Sequence, residues 1–307
     1  MTCNMDEKNV GLLSRRRALQ SIATITAGAL VIPRSVFGAT PAKNKIKFAA
    51  IGDFGTGDGG QAGIAAQILR DHQTSPLDLI LAVGDNIYPD GGGRHFVKKF
   101  ERPYAGLLNH GVKFHAVLGN HDVRDGRHDQ CRYPHFNMNG QNYYTLKKGD
   151  GLVEFFMADS TDFDSAQTGW LEGALRASTA KWKIAVFHHP IYSSAETHGS
   201  DLKLRRIIEP LLNRYGVNAV FSGHDHIYER TRPQKGIQYF VTGAGGKVRD
   251  GDIDMRSPFR EVTFDRDNHY MQVEIDDQQI NFRAISRSGA VIDSGTIRER
   301  ALANSAR

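Results

Sequence analysis

Leu77-Asp78-Leu79-Ile80-Leu81-Ala82-Val83-Gly84-Asp85-Asn86-Ile87-Tyr88 passes from an apolar run to a polar cluster across a single glycine. An apolar run of that length, stopped by glycine and then a carboxylate, predicts a buried strand with a functional residue at its end. The pattern recurs along the chain. Ile46 to Ile51 leads into Asp53, Val112 to Leu118 into Asn120, Trp182 to Phe187 into His188, and Val217 to Phe221 into His224. Helical periodicity fills the intervals at Gln61 to His72, Phe96 to Tyr104, Gln167 to Ala177 and Leu202 to Tyr215. Strand and helix in alternation predict a parallel or mixed sheet covered on both faces, with ligands at the C-terminal ends of successive strands.

Beyond Gly243-Ala244-Gly245-Gly246 the texture changes. His269 to Ile275, Gln279 to Ile285 and Ala290 to Ile297, with turns at Asp276-Asp277 and Ser288-Gly289, predict an antiparallel meander that completes a second sheet. The expected class is α/β, a four-layer α/β/β/α sandwich of two mixed β-sheets flanked by helices. No internal repeat or long linker divides it, so residues 40–300 are expected to form one catalytic domain, with 301–307 as a tail.

The polar residues at the strand ends fall into five motifs: Gly52-Asp53-Phe54-Gly55, Gly84-Asp85-Asn86-Ile87-Tyr88, Gly119-Asn120-His121-Asp122, His188-His189-Pro190 and Gly223-His224-Asp225-His226. Hard cations prefer oxygen donors, and imidazole suits iron, zinc and manganese. Asp53, Asp85, Tyr88, Asn120, His188, His224 and His226 supply that mixture, with Asp85 the candidate to bridge two ions. A pair of cations about 3.5–4 Å apart is a recurrent device for hydrolysing phosphate esters.

These motifs resemble those of the calcineurin-like metallophosphoesterase superfamily, and Tyr88, three residues after Asp85, makes the chain similar to the small, tartrate-resistant type of purple acid phosphatase. The resemblance spans roughly residues 45–285. It implies ferric iron at Asp53, Asp85, Tyr88 and His226, and a second metal (ferrous iron, zinc or manganese) at Asp85, Asn120, His188 and His224. It also implies a phosphate-contacting histidine at His121 and, once a one-residue insertion is allowed for, a further one at His198. Replacing one divalent ion by ferric iron while adding a tyrosinate leaves the net charge of the site unchanged. The stronger Lewis acid then lowers the pKa of its water further, a physical reason for activity at acidic pH.

The expected reaction is therefore acid hydrolysis of phosphate monoesters by in-line attack of a metal-bound hydroxide at a binuclear Fe(III)–M(II) centre. His121 or His198 protonates the leaving oxygen or holds the phosphate. Asp122 either orients His121 or caps its own loop. His189, adjacent to a strand end, is expected to point opposite to His188 and to serve packing or support a ligand from behind. The loop from Arg124 to Tyr144 is a candidate for contacting the leaving group. The alternatives are a phosphodiesterase or nucleotidase with two divalent metals, and a metal-bearing binding protein without turnover.

The 307 residues carry a net charge of +5. Within residues 1–39, Lys8, Arg15, Arg16, Arg17 and Arg34 stand against Asp6 and Glu7, so three of those charges sit there. The remainder argues for no nucleic-acid partner. Ser14-Arg15-Arg16-Arg17-Ala18-Leu19, a mild apolar run to Ile32, and small residues at Gly38 and Ala39 read as a signal peptide. It resembles a twin-arginine signal, with Ala18 where phenylalanine is usual, and implies the twin-arginine export machinery and a periplasmic or secreted product. The apolar run is too short for a stable membrane anchor. Cys131 is the one cysteine outside this segment, so no disulfide within the mature chain is expected. A monomer acting on small phosphate esters is the expected working form.

Overall fold

A computed structural model describes residues 44–299. The signal segment 1–39 and the tail 301–307 lie outside the described residues. The strands are β1 (Ile46–Ile51), β2 (Leu79–Ala82), β3 (Lys113–Ala116), β4 (Tyr144–Lys148), β5 (Val153–Met157), β6 (Trp182–Val186), β7 (Ala219–Ser222), β8 (Tyr228–Thr231), β9 (Gln238–Thr242), β10 (Arg260–Phe264), β11 (His269–Ile275), β12 (Gln279–Ser286) and β13 (Val291–Arg298). The helices are α1 (Gly59–Thr74), α2 (Arg102–Asn109), α3 (Arg127–Arg132), α4 (Ser165–Ala177) and α5 (Leu202–Arg214).

Two mixed sheets form. One runs β13-β12-β11-β1-β2-β3, the other β10-β8-β9-β7-β6-β5-β4. Aromatic side chains knit their inner faces. Phe48 on β1 meets Phe155 on β5 and Phe221 on β7 edge-on, with ring centres 5.3 and 5.8 Å apart, and Phe240 on β9 meets Phe282 on β12 at 4.8 Å. Such edge-to-face pairs add to the burial of their area. Ile64 and Ile68 of α1 and Leu107 of α2 pack with the first sheet. Leu171 and Leu175 of α4, with Leu204, Ile208 and Leu212 of α5, cover the outer face of the second, against Phe156, Ala185 and Val220. The result is the expected α/β/β/α sandwich.

Two expectations are corrected. The meander β11-β12-β13 does not complete a second sheet. Its β11 pairs antiparallel with β1, Phe48 opposite Val273, and so extends the first sheet. Period-two alternation shows that a strand exists but not which edge it joins. The helix expected from Phe96 begins instead as a wide π-helical turn, Val97–Glu101, before α2. Pro103 has no N–H to offer the Lys99 carbonyl, and Gln61 Nε2 donates to that oxygen in its place, at 2.5 Å.

Candidate metal centre

The parallel strands β1, β2, β3, β6 and β7 deliver their polar residues from their C-terminal ends. Backbone bonds tie these ends together: Asp53 N donates to Gly84 O at 3.0 Å, and Gly223 N to His188 O at 3.0 Å. His224 N donates to Asp53 Oδ2 at 2.8 Å, joining the two sheets at the site. Glycine is required at two of the joints. Gly84 has φ +95°, and a Cβ there would stand 2.5 Å from His188 Nδ1. A Cβ on Gly119 would stand 2.2 Å from Asp85 N. Asp53, Asp85 and His224 also adopt positive φ, of 56°, 49° and 71°. Left-handed backbone at non-glycine residues is costly and concentrates at functional sites.

The seven side chains converge in two groups. In the first, Tyr88 Oη donates to Asp53 Oδ1 at 3.1 Å and lies 3.2 Å from His226 Nε2. His226 Nε2 is 3.5 Å from Asp53 Oδ1. In the second, Asn120 Oδ1 lies 3.2 Å from His188 Nε2 and 2.9 Å from His224 Nδ1. Asp85 joins the groups: its Oδ1 is 3.6 Å from His188 Nε2, and the donor atoms of Asp53, Asp85 and His188 all fall within 4.8 Å of one another.

The electrostatics fit a pair of cations. Burial, and then the neighbouring Asp85, push the Asp53 carboxyl well above the usual carboxylate range. Two carboxylates so placed lack positive charge. The imidazoles are held neutral, as ligands must be. Burial drives His188 and His224 far down, and burial with Arg249 and Lys247 nearby brings His226 to about 3. His188 Nδ1–H donates to the Val83 carbonyl at 3.0 Å, which leaves the Nε2 lone pair facing Asn120 Oδ1 and Asp85 Oδ1. Lone pairs confronting one another with no hydrogen between them are what a bound cation resolves.

His121 and His198 flank the groups. The ring of His121 is 4.5 Å from that of Tyr88, its Nδ1–H donates to Pro89 O at 2.7 Å, and its Nε2, 3.4 Å from Arg124 Nη2, is 4.0 Å from Asp85 Oδ2. The exposed His198 ring lies 4.4 Å from His224. Asp122 does not orient His121. It is fully buried and accepts five N–H bonds, from Asn86 N, Asn86 Nδ2, Gly119 N, Ile87 N and Gln130 Nε2. It organises the loops beneath the site, and the catalytic reading of Asp122 gives way to that. His189 lies beside a ligand, the second of its two expected places. Its ring is 4.5 Å from His224, because β6 ends at Val186 and strand alternation no longer governs residue 189. Ser160 Oγ pairs with its Nδ1 at 2.9 Å.

Two residues escaped the sequence. Lys247 Nζ lies 3.7 Å above the Tyr88 ring centre, and Arg249 N donates to His226 O at 3.2 Å. Both follow the Gly243–Gly246 turn, and no periodicity marks them.

Over 87% of its length the chain is 27% identical to human tartrate-resistant acid phosphatase type 5, of which it covers 94%. It is 29% identical to purple acid phosphatase 17 of Arabidopsis thaliana, with 69% of this chain and 72% of that one aligned. Among solved structures, GAP50, the anchor in the inner membrane complex of Plasmodium, matches with a TM-score of 0.73 at 21% identity, over 83% of this chain and 89% of that one. The purple acid phosphatase PPD1 from yellow lupin matches at 0.71 and 19% identity, over 85% of this chain and 55% of that one. At such identities the structural matches speak for the fold alone. Residues 46–228, more than half of the chain and the segment carrying all seven converging side chains, match the calcineurin-like phosphoesterases, and to that family the chain belongs.

Proposed function

We propose that the protein is an acid phosphatase that hydrolyses phosphate monoesters at a two-metal centre. One observation carries this reading: two groups of oxygen and imidazole donors share a single carboxylate, Asp85. Asp53, Asp85, Tyr88 and His226 would hold one ion, and Asp85, Asn120, His188 and His224 the other. When bound, the pair supplies positive charge for the phosphate oxygens and a water acidic enough to serve as nucleophile.

The finer assignment is a ferric ion in the first position with ferrous iron, zinc or manganese in the second. The phenol of Tyr88 supports it, since a phenolate donor offsets the added charge of a trivalent ion. Burial, and then Asp53 and Asp85, push the Tyr88 phenol far above its usual range, so the phenolate would need the bound cation to hold it, with Lys247 above the ring adding positive charge nearby. The names of the curated relatives, purple and tartrate-resistant acid phosphatases, support the same reading. His121, beside the first group, and His198, beside the second, bind the phosphate and pass a proton to the leaving oxygen.

Aerobically purified protein is expected to show a visible tyrosinate-to-iron band, and Tyr88→Phe to abolish it. A colourless wild type with full metal occupancy contradicts the ferric assignment. Rates on a monoester and a diester from about pH 4 to about pH 9 separate the activities, because the monoester should be preferred on the acid side. A faster diester reaction at alkaline pH moves the assignment to a phosphodiesterase or nucleotidase. The basic segment 1–39 supports export through the twin-arginine route to the periplasm or beyond. Among the described residues no helix is long and apolar enough to cross a membrane. The working form is a monomer.

A further inference from the structure

Two loops meet beside His198. The first follows His188-His189-Pro190 and the second follows Gly243–Gly246. Ala195 and Ile253 form an isolated β-bridge between them. Asp254 N donates to Ser194 O at 2.7 Å, and Glu196 N to Asp252 O at 3.1 Å. The Asp252 side chain occupies the centre of this junction and is 4% exposed. Its Oδ1 accepts from both the backbone N (2.9 Å) and the hydroxyl of Thr197, the residue before His198. Its Oδ2 faces Arg249 Nη1 at 3.5 Å, and Arg249 N is bonded to the carbonyl of His226.

One carboxylate thus links the backbone next to His198 to the segment next to His226. The ion pair explains little as a stabilising contact, because Asp252 Oδ2 and Arg249 Nη1 are buried without a hydrogen-bond partner. A buried carboxylate with one oxygen unsatisfied costs free energy. What the arrangement does fix is the place of His198, whose ring lies over His224 with 32° between planes.

We propose that Asp252 is a positioning residue that holds His198 where its imidazole reaches the leaving-group oxygen. The proposal rests on the phosphomonoesterase reading. In that reaction a water oxygen bonds to phosphorus as the P–O bond to the leaving group breaks, and that bond's electron pair stays on the leaving oxygen. The proton on the His198 ring passes to that oxygen, an alcohol departs, and the neutral imidazole regains a proton from solvent. An alkoxide needs this proton; 4-nitrophenolate leaves without it.

The test compares 4-nitrophenyl phosphate with an alkyl phosphate, using full-length, metal-loaded protein. Asp252→Ala and His198→Ala are each expected to raise the ratio of the aryl to the alkyl rate by roughly 10- to 100-fold. Combining them should raise it no further than His198→Ala alone, since both act through one group. Asp252→Asn, which keeps an oxygen for Thr197, should restore most of the alkyl rate. Thr197→Val removes only the hydroxyl bond and should show the same discrimination, smaller in size, even if Asp252→Ala fails to fold.

Equal losses on both esters, or no change in the ratio, in Asp252→Ala or Thr197→Val overturn the proposal. So does a His198→Ala protein whose ratio is that of wild type. Wild-type turnover of both esters then leaves the phosphatase reading intact. A wild type that hydrolyses neither ester removes both.

Discussion

Asp85→Asn is expected to lower kcat/KM on a phosphate monoester by roughly 10³-fold, the loss of several kcal/mol of metal-derived stabilisation. The size follows from the place of Asp85 between the two groups. Its Oδ1 stands 3.6 Å from His188 Nε2, and the same oxygen accepts from His121 N at 2.8 Å. An amide at this position removes the negative charge common to both proposed ions and offers only one oxygen. Metal content per chain, measured beside the rate, should fall with it. Rate and metal content both retained would show that Asp85 is not the shared ligand.

Asp122→Ala should instead act on stability. It removes the acceptor of three buried backbone N–H groups, those of Asn86, Ile87 and Gly119, while the Asn86 and Gln130 amides keep other acceptors in Val117 O, Gln130 Oε1 and Gly91 O. Burial and the neighbouring Asp85 push the Asp122 carboxyl up to about 7, while the N–H groups of Asn86, Gln130 and Gly119 pull it down. Each orphaned buried donor costs about 1–3 kcal/mol before water relieves part of it. We expect a net loss of about 4 kcal/mol, which lowers Tm by roughly 10 °C in a domain of this size. The loss should appear in metal-free protein too, whereas His121→Ala should change rate and leave Tm nearly unmoved. An Asp122→Ala protein with wild-type Tm and crippled turnover would return Asp122 to the chemistry.

The parts of the molecule legible in the sequence are those where local pattern and function coincide. β1, β2, β3, β6 and β7 are short apolar runs that stop at glycine or a polar residue, and the seven converging side chains lie directly beyond them. Tyr88 was grouped with Asp53 by the resemblance of the motifs, and the parallel pairing of β1 with β2 supplies the physical reason. Pairing was not legible. Nothing in His269 to Ile275 says that β11 lies against β1. β4 and β5 were missed because Tyr144–Lys148 is half polar and buried Glu154 interrupts Val153–Met157. The roles of Asp122, His189, Lys247 and Asp252 depend on loops, whose course follows from long-range hydrogen bonds rather than periodicity. The π-helical turn had a visible cause in Pro103, since a proline inside a helical pattern frees one carbonyl.

The central claim is that catalysis needs two metal ions held around Asp85. The measurement that tests it most directly is stepwise reconstitution of metal-stripped protein, with bound metal and monoester hydrolysis followed together. Activity should be absent without metal, remain low at one ion per chain, and reach its full value only as the second is bound. Full turnover with one ion bound, or undiminished turnover after complete removal of metal, would contradict it.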